Sequence, residues 1–506
     1  MDNDARPSVP RPPVAGPRYW REVAARATTR AARRRTRIVA TIGPASEATS
    51  TLSAMAEAGM DVARVPLAHG SIGEAIERVR RVRESAPAAA VLADLPGPKI
   101  RTSPFAEGGV ALDAGRELLL LPGSVCPESD AGRIGVGLDE VVAGLDEGDH
   151  VALGDGGVSL RVLGRVEEGA RAVVESPGRL QGRPGVTVPT SRIQLATPTT
   201  DDLARLEALV VEGVDLVAVS FVRSAADMLA VRAALGGSSA TLCAKIETAE
   251  AIADLDAILG VSDSVMVARG DLGVRVPLED VPIHQKRIIR SGVRFGRPVI
   301  TATQMLESML VAPVPTRAEV TDVANAVFDG SSAVMLSGET AVGRDPVRAV
   351  ATMARIVERT EQEFDYLAWG AGLGVQEIAG SPSSAPRITA AITGAGWRAA
   401  VEQDAAAIIA CTRSGATARM ISRFRPSMPI VAATPSQHTA RQLAVSWGVD
   451  ALIVRESEGT DDIVWYAVQE TVAAGYAKAG DVVVVLAGSP SEPGPVTDTL
   501  RIVRVS

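Results

Sequence analysis

From Thr36 onward the chain repeats one unit: a short apolar run, a polar or glycine-rich stop, then residues with helical spacing. The apolar runs are TRIVATIGPAS (36–46), DVARVPLAHG (61–70), AVLADLPGPKIR (90–101), DLVAVSFVR (215–223), LCAKIE (242–247), SVMVARGD (264–271), PVITATQ (298–304) and AVMLSGET (333–340). Stretches such as TLSAMAEAG, IGEAIERVRRVRES and ADMLAVRAAL carry the helical period between most of them. Nearly continuous apolar runs alternating with helices predict parallel strands covered on both faces. Eight of them predict a (β/α)8 barrel of the TIM type. Reactive groups in such a barrel stand at the carboxyl ends of the strands. There this sequence puts Arg64, Asp94, Ser220, Glu247, Asp271, Thr303 and Ser337.

The pattern changes character three times. Residues 1–35, rich in Pro, Arg and Ala, predict a flexible arm. Between the third and fourth runs, residues 103–189 switch to Gly-rich turns and Val-rich alternation, as in DHVALGDGGVSLRVLGRV, which predicts a small inserted β-barrel domain placed as a lid. The barrel is then split into 36–102 and 190–366. After it GAGLGVQEIAGSPSSAP (370–386) reads as a loop, and AAIIACT, PIVAATP, ALIVR and DVVVVLAG predict a C-terminal α/β domain over 367–506.

Chemistry concentrates at 244–273. Lys245 and Glu247 are two apart on one strand and so share a face, and Asp271 ends the next apolar run within Arg-Gly-Asp-Leu-Gly. An ammonium and carboxylates at apolar strand ends are costly to bury without a purpose, and together they suit a divalent cation beside an anion. Lys-x-Glu alone reads better as an ion pair plugging a sheet end, and the Arg-Gly-Asp-Leu-Gly turn tips the balance to the cation and anion site. Only four of the 52 basic residues are lysine (Lys99, Lys245, Lys286, Lys478), and Lys99 and Lys245 fall at strand ends, where a compact point charge differs from the arginine fork. The net charge of −8 argues against nucleic acid as a partner. No apolar run reaches the 18 residues of a membrane span, and Cys126, Cys243 and Cys411 are too scattered for a disulfide framework or zinc, so a cytoplasmic location is expected.

The motifs RIVATIGPAS, DLPGPKIRT, GDGGVSL, AKIE, VMVARGDLG, ATQMLESM, PTRAEVTDVANAV, MLSGETA and TRSGATAR occur in order, and together they resemble the pyruvate kinase family from about residue 36 to the C-terminus. The resemblance implies phosphoryl transfer from phosphoenolpyruvate to ADP, giving pyruvate and ATP, in a homotetramer that uses Mg2+ (or Mn2+). It implies that Lys245, Arg64 and Thr303 are catalytic and that Glu247 and Asp271 hold the metal. Substrate would meet Arg64, Lys245, Gly270, Asp271, Thr303 and Ser337, and nucleotide would meet His69, Arg101 and Asp155.

The chain also departs from the family. Where the family binds a monovalent cation through Asn, Ser and Thr, this sequence has Pro66, Ala68 and Leu95, leaving Asp94; and GPKIR carries Lys99 in place of Glu. The joint change implies that Lys99 substitutes for the cation beside Asp94 and that K+ is not required. In the lid, Arg183 is followed by Pro184, which weakens phosphate contact there. In TRSGATAR, Thr412, Ser414, Gly415 and Thr417 form either an effector loop or an ordinary strand-to-helix cap, since Ala416 replaces the family's Arg. Two other readings compete: a catalytically weakened paralogue that binds metabolites as a regulator, and a Mg2+-dependent aldolase or lyase acting on pyruvate enolate.

Overall fold

The computed structural model describes residues 34–68, 70–154, 157–188, 196–378, 387–457, 459–488 and 496–506. The eight apolar runs form a closed parallel barrel in sequence order: Arg37–Thr41, Val62–Pro66, Ala90–Leu95, Leu216–Val219, Thr241–Ile246, Ser264–Ala268, Val299–Ala302 and Ala333–Leu336. Each strand is shorter than its apolar run. The sixth stops at Ala268, and Arg269–Gly273 is a helical turn, so Asp271 stands beyond the strand and not in it.

Alternation along the strands decides what fills the barrel. Val62, Leu92, Ala218 and Cys243 belong to the apolar interior. Two residues further along the same strands and connecting loops, on the same face, stand Arg64, Asp94, Ser220 and Lys245, and Glu247 follows after two more. The apolar layers therefore form a floor under the polar mouth. Val445, from the C-terminal domain, joins this interior cluster from below.

The insert has its own core, which includes Leu112, Leu120, Ile134, Val151, Leu160 and Val174. Its strands pair as an open six-stranded sheet, a half-barrel in the order Val186–Thr187, His150–Leu153, Val158–Val166, Gly169–Ser176, Glu117–Pro122, Arg133–Val136. Gly178–Leu180 and Val110–Leu112 pair separately as a ribbon. The C-terminal sheet contains the four expected parallel strands, and Thr499–Arg504 adds a fifth, antiparallel, at its edge.

The stretch expected as a loop from residue 370 begins as a helix, Tyr366–Ile378, while 379–386 lie outside the described residues. Glycine is there for space: a Cβ at Gly370 would stand 2.3 Å from the Trp397 ring. Of the expected arm, Arg34 and Arg35 are described. Arg34 pairs with Asp61 at 2.8 Å, and the Arg35 N–H donates to Glu361.

Buried Arg37 joins the floor to the C-terminal domain, 3.3 Å from Asp61 and 3.0 Å from Asp450, with Nε donating to Ser446 O. Arg37→Met leaves Asp450 with the Tyr476 hydroxyl (3.2 Å) and no cation. A loss of roughly 3 kcal/mol of stability is expected. The midpoint of urea unfolding measures it, and an unchanged midpoint would show that this contact does not hold the domains together.

Candidate active site

At the barrel mouth the strand ends bring four charged side chains into one buried network. Arg64 donates from Nε to Asp94 Oδ2 at 2.6 Å, with Nη2 also 2.6 Å from that oxygen. Its Nη1 donates to Thr41 Oγ1 at 3.0 Å, and Thr41 in turn donates to Leu336 O. Lys245 Nζ stands 3.2 Å from Asp94 Oδ1, 3.0 Å from Glu247 Oε1 and 2.6 Å from Ser220 Oγ. Lys245 is 8% exposed, Asp94 3% and Glu247 fully buried.

Burial works against every charge in this group, and the neighbours decide which survive. Burial would raise Asp94, but Lys245 and Arg64 hold its carboxyl below the usual range. Burial would likewise depress Lys245, but Asp94 and Glu247 keep the ammonium above its ordinary value. Glu247 goes the other way. Burial and the nearby Asp271 charge raise its carboxyl, and Lys245 only partly offsets them.

The Glu247 oxygens differ. Oε2 accepts the Phe221 N–H at 2.8 Å. Oε1 is paired with the Lys245 ammonium at 3.0 Å and accepts no aligned hydrogen bond. The Asp271 carboxylate, half-buried on the adjacent turn, has no hydrogen bond or ion pair among the described residues. Two hard oxygens with spare capacity fit Mg2+, which takes one or two carboxylates and completes its shell with water and substrate oxygens. Accordingly, no group of three or more metal-ligating side chains gathers among the described residues.

Thr303 follows the seventh strand with φ of 67°, and Gln304 follows with 53°. A β-branched residue rarely adopts such a backbone. Its Oγ1 accepts the Gly270 N–H at 2.8 Å and donates to Ala302 O at 2.6 Å. Gly270 therefore spends its amide on Thr303, which leaves the later amides of that turn for a ligand. Ser337 follows the eighth strand. Its N–H donates to Glu339, which also accepts the Leu306 N–H, while its own Oγ is buried without a partner.

Other expected residues fall elsewhere. Lys99 is exposed and does not reach Asp94, whose oxygens are already taken by Arg64 and Lys245. Its loop turns away at Gly97, where φ is 65° and a Cβ would stand 2.8 Å from Phe221. The Lys99 stem instead lies by Gly185 of the lid. Arg101 donates to Arg183 O at 3.2 Å, at the base of the lid. His69 and Asp155 lie outside the described residues. In the C-terminal loop the Thr412 hydroxyl accepts the Gly415 N–H and Thr417 shares a hydrogen bond with Thr497, so both are engaged within the domain, and Ser414 is exposed.

Three residues at the strand ends and the loops after them have no role assigned from sequence. Ser220 was visible as a polar strand end, although nothing linked it to Lys245. Glu339 and Arg269 sit inside the motifs MLSGETA and VMVARGDLG, but their contacts depend on loop geometry that spacing does not carry.

Two sequence families match the chain: one described as "Pyruvate kinase, barrel domain" over residues 33–350, the other as "Pyruvate kinase, alpha/beta domain" over residues 390–503. The chain is 40% identical over 478 residues to a pyruvate kinase of Sporosarcina psychrophila, covering 93% of this chain and 80% of that one. It is 38% identical to one of Clostridium acetobutylicum over 92% and 99% of the two chains. For one of Methylorubrum extorquens the figures are 39% over 94% and 98%. A barrel with this mouth, the half-barrel insert and the five-stranded C-terminal domain, matched along nearly their whole length, make the chain a member of the pyruvate kinase family.

Proposed function

We propose that this chain transfers the phosphoryl group of phosphoenolpyruvate to ADP, giving pyruvate and ATP. The observation that carries the proposal is a buried Lys245 set between two carboxylates at the barrel mouth, 3.2 Å from Asp94 and 3.0 Å from Glu247. Phosphoryl transfer needs positioning and charge neutralisation more than a covalent nucleophile. Lys245 opposes charge on the moving phosphoryl group and on the enolate left behind, from a site where water does not screen it. Arg64 presents a fork to phosphate while Asp94 fixes its plane. Glu247 and Asp271 hold Mg2+, which when bound neutralises phosphoryl and carboxylate oxygens. The amides after Gly270 take the substrate carboxylate. Thr303, a poor acid, orients water toward the carbon that is protonated. The family resemblance gives Arg101, His69 and Asp155 the role of meeting the nucleotide.

Turnover without K+ belongs to the same proposal. Pro66, Ala68 and Leu95 offer no side-chain oxygens, and Asp94 already has two cations against it. Assembly into a homotetramer is proposed from membership of the family.

A lactate-dehydrogenase-coupled assay with phosphoenolpyruvate, ADP and Mg2+ is expected to show turnover. Lys245→Met should lower kcat by about 100-fold or more, and Glu247→Gln should raise the Mg2+ needed for half-saturation by roughly tenfold or more. Absence of turnover in the native protein would sink the reading. Rates in K+-free buffer are expected to match those with K+ added, and strong activation by K+ would refute independence. Sedimentation of the native protein is expected to give four chains per particle; a monomer would refute the assembly.

A further inference from the structure

We propose that Arg269 is a positioning residue: it holds the backbone of Thr303 and Gln304 in the left-handed region and so sets the direction of the Thr303 hydroxyl. The proposal deepens the functional reading above and rests on it for the role of Thr303.

The seventh strand ends at Ala302, and the next two residues carry φ of 67° and 53°. Neither is glycine, and a threonine there is strained, so surrounding contacts must over-determine the conformation. The contacts come from one side chain. Arg269 Nε donates to Ala302 O at 3.2 Å, and Nη2 donates to Thr303 O at 2.6 Å and Gln304 O at 3.3 Å. Three successive carbonyls thus converge on one guanidinium. Its far side is anchored by Asp322, 2.6 Å from Nη1, and the side chain is only 10% exposed.

The next residue completes the arrangement. Gly270 N–H donates to Thr303 Oγ1, so the dipeptide Arg269–Gly270 grips Thr303 by its carbonyl and its hydroxyl together. A planar fork with five donors can serve three carbonyls and a carboxylate at once. A lysine ammonium, with three donors from one point, cannot. Released from the clamp, residues 303–304 would relax toward negative φ and carry the hydroxyl away from the turn that holds Asp271.

Arg269→Met, assayed as the full chain, is expected to lower kcat between about tenfold and 100-fold, leaving KM for ADP close to native. Solvent exchange of the pyruvate methyl protons, read by NMR, should slow by a similar factor. Arg269→Met combined with Thr303→Ala should be no slower than Thr303→Ala alone. A merely structural arginine would lower thermal stability and shift all kinetic constants together. A double variant whose loss equals the product of the two single losses overturns the proposal. Should the methionine variant fail to fold, Arg269→Lys takes its place with the same expected fall, and native kcat in it overturns the proposal. A crystal structure of the variant decides independently of activity: Thr303 still at positive φ refutes the clamp. An inactive native enzyme would refute only the functional reading.

Discussion

No charge at the mouth of this barrel is stable alone. Asp94, Lys245 and Glu247 are buried well beyond what an isolated ion tolerates, and each is kept in place by the others and by Arg64. The compensation is thinnest at the second oxygen of Glu247, which has the Lys245 ammonium but no aligned hydrogen bond, and the neighbouring Asp271 carboxylate has no hydrogen bond or ion pair among the described residues. A folded protein in which most buried charges are matched and one corner stays electron-rich is prepared to accept a cation. The apolar floor beneath and the strained turn beside it hold that imbalance in a fixed place.

Much of this arrangement could be read from residue order because strand alternation is rigid. Lys245 and Glu247 share a face by their spacing alone, and the same rule puts Arg64, Asp94 and Ser220 one layer above the apolar interior. The eight strands were legible for a similar reason: each is an unbroken apolar run with a polar stop. What resisted reading depended on backbone direction. Asp271 was expected at the end of a strand and stands in a helical turn. Lys99 was expected beside Asp94, but the turn at Gly97 points it toward the lid. The helix at 366–378 reads as a loop from residue 370 because Gly370 leaves room for Trp397, and composition does not distinguish room from flexibility.

The segment after the seventh strand illustrates the same limit. A threonine followed by glutamine gives no sign of positive φ, and the arginine that bears on it lies more than thirty residues earlier. Such strain belongs to the folded pair and leaves no mark in residue order. It marks the place where local preference yields to the demands of the site.

The floor of the barrel has a consequence for the order in which the chain matures. Arg37 on the first strand bonds to groups 409 and 413 residues away, and Val445 fills the interior beneath the strands. Loop-closure entropy grows only with the logarithm of such a separation, so the finished protein loses little stability by it. Synthesis is different, because domains fold largely in the order they leave the ribosome. A nascent chain that has completed all eight strands still lacks its base, and Arg37 has no Asp450 to meet. The barrel therefore waits, open at the bottom, until the chain has been made as far as Val445 and Asp450.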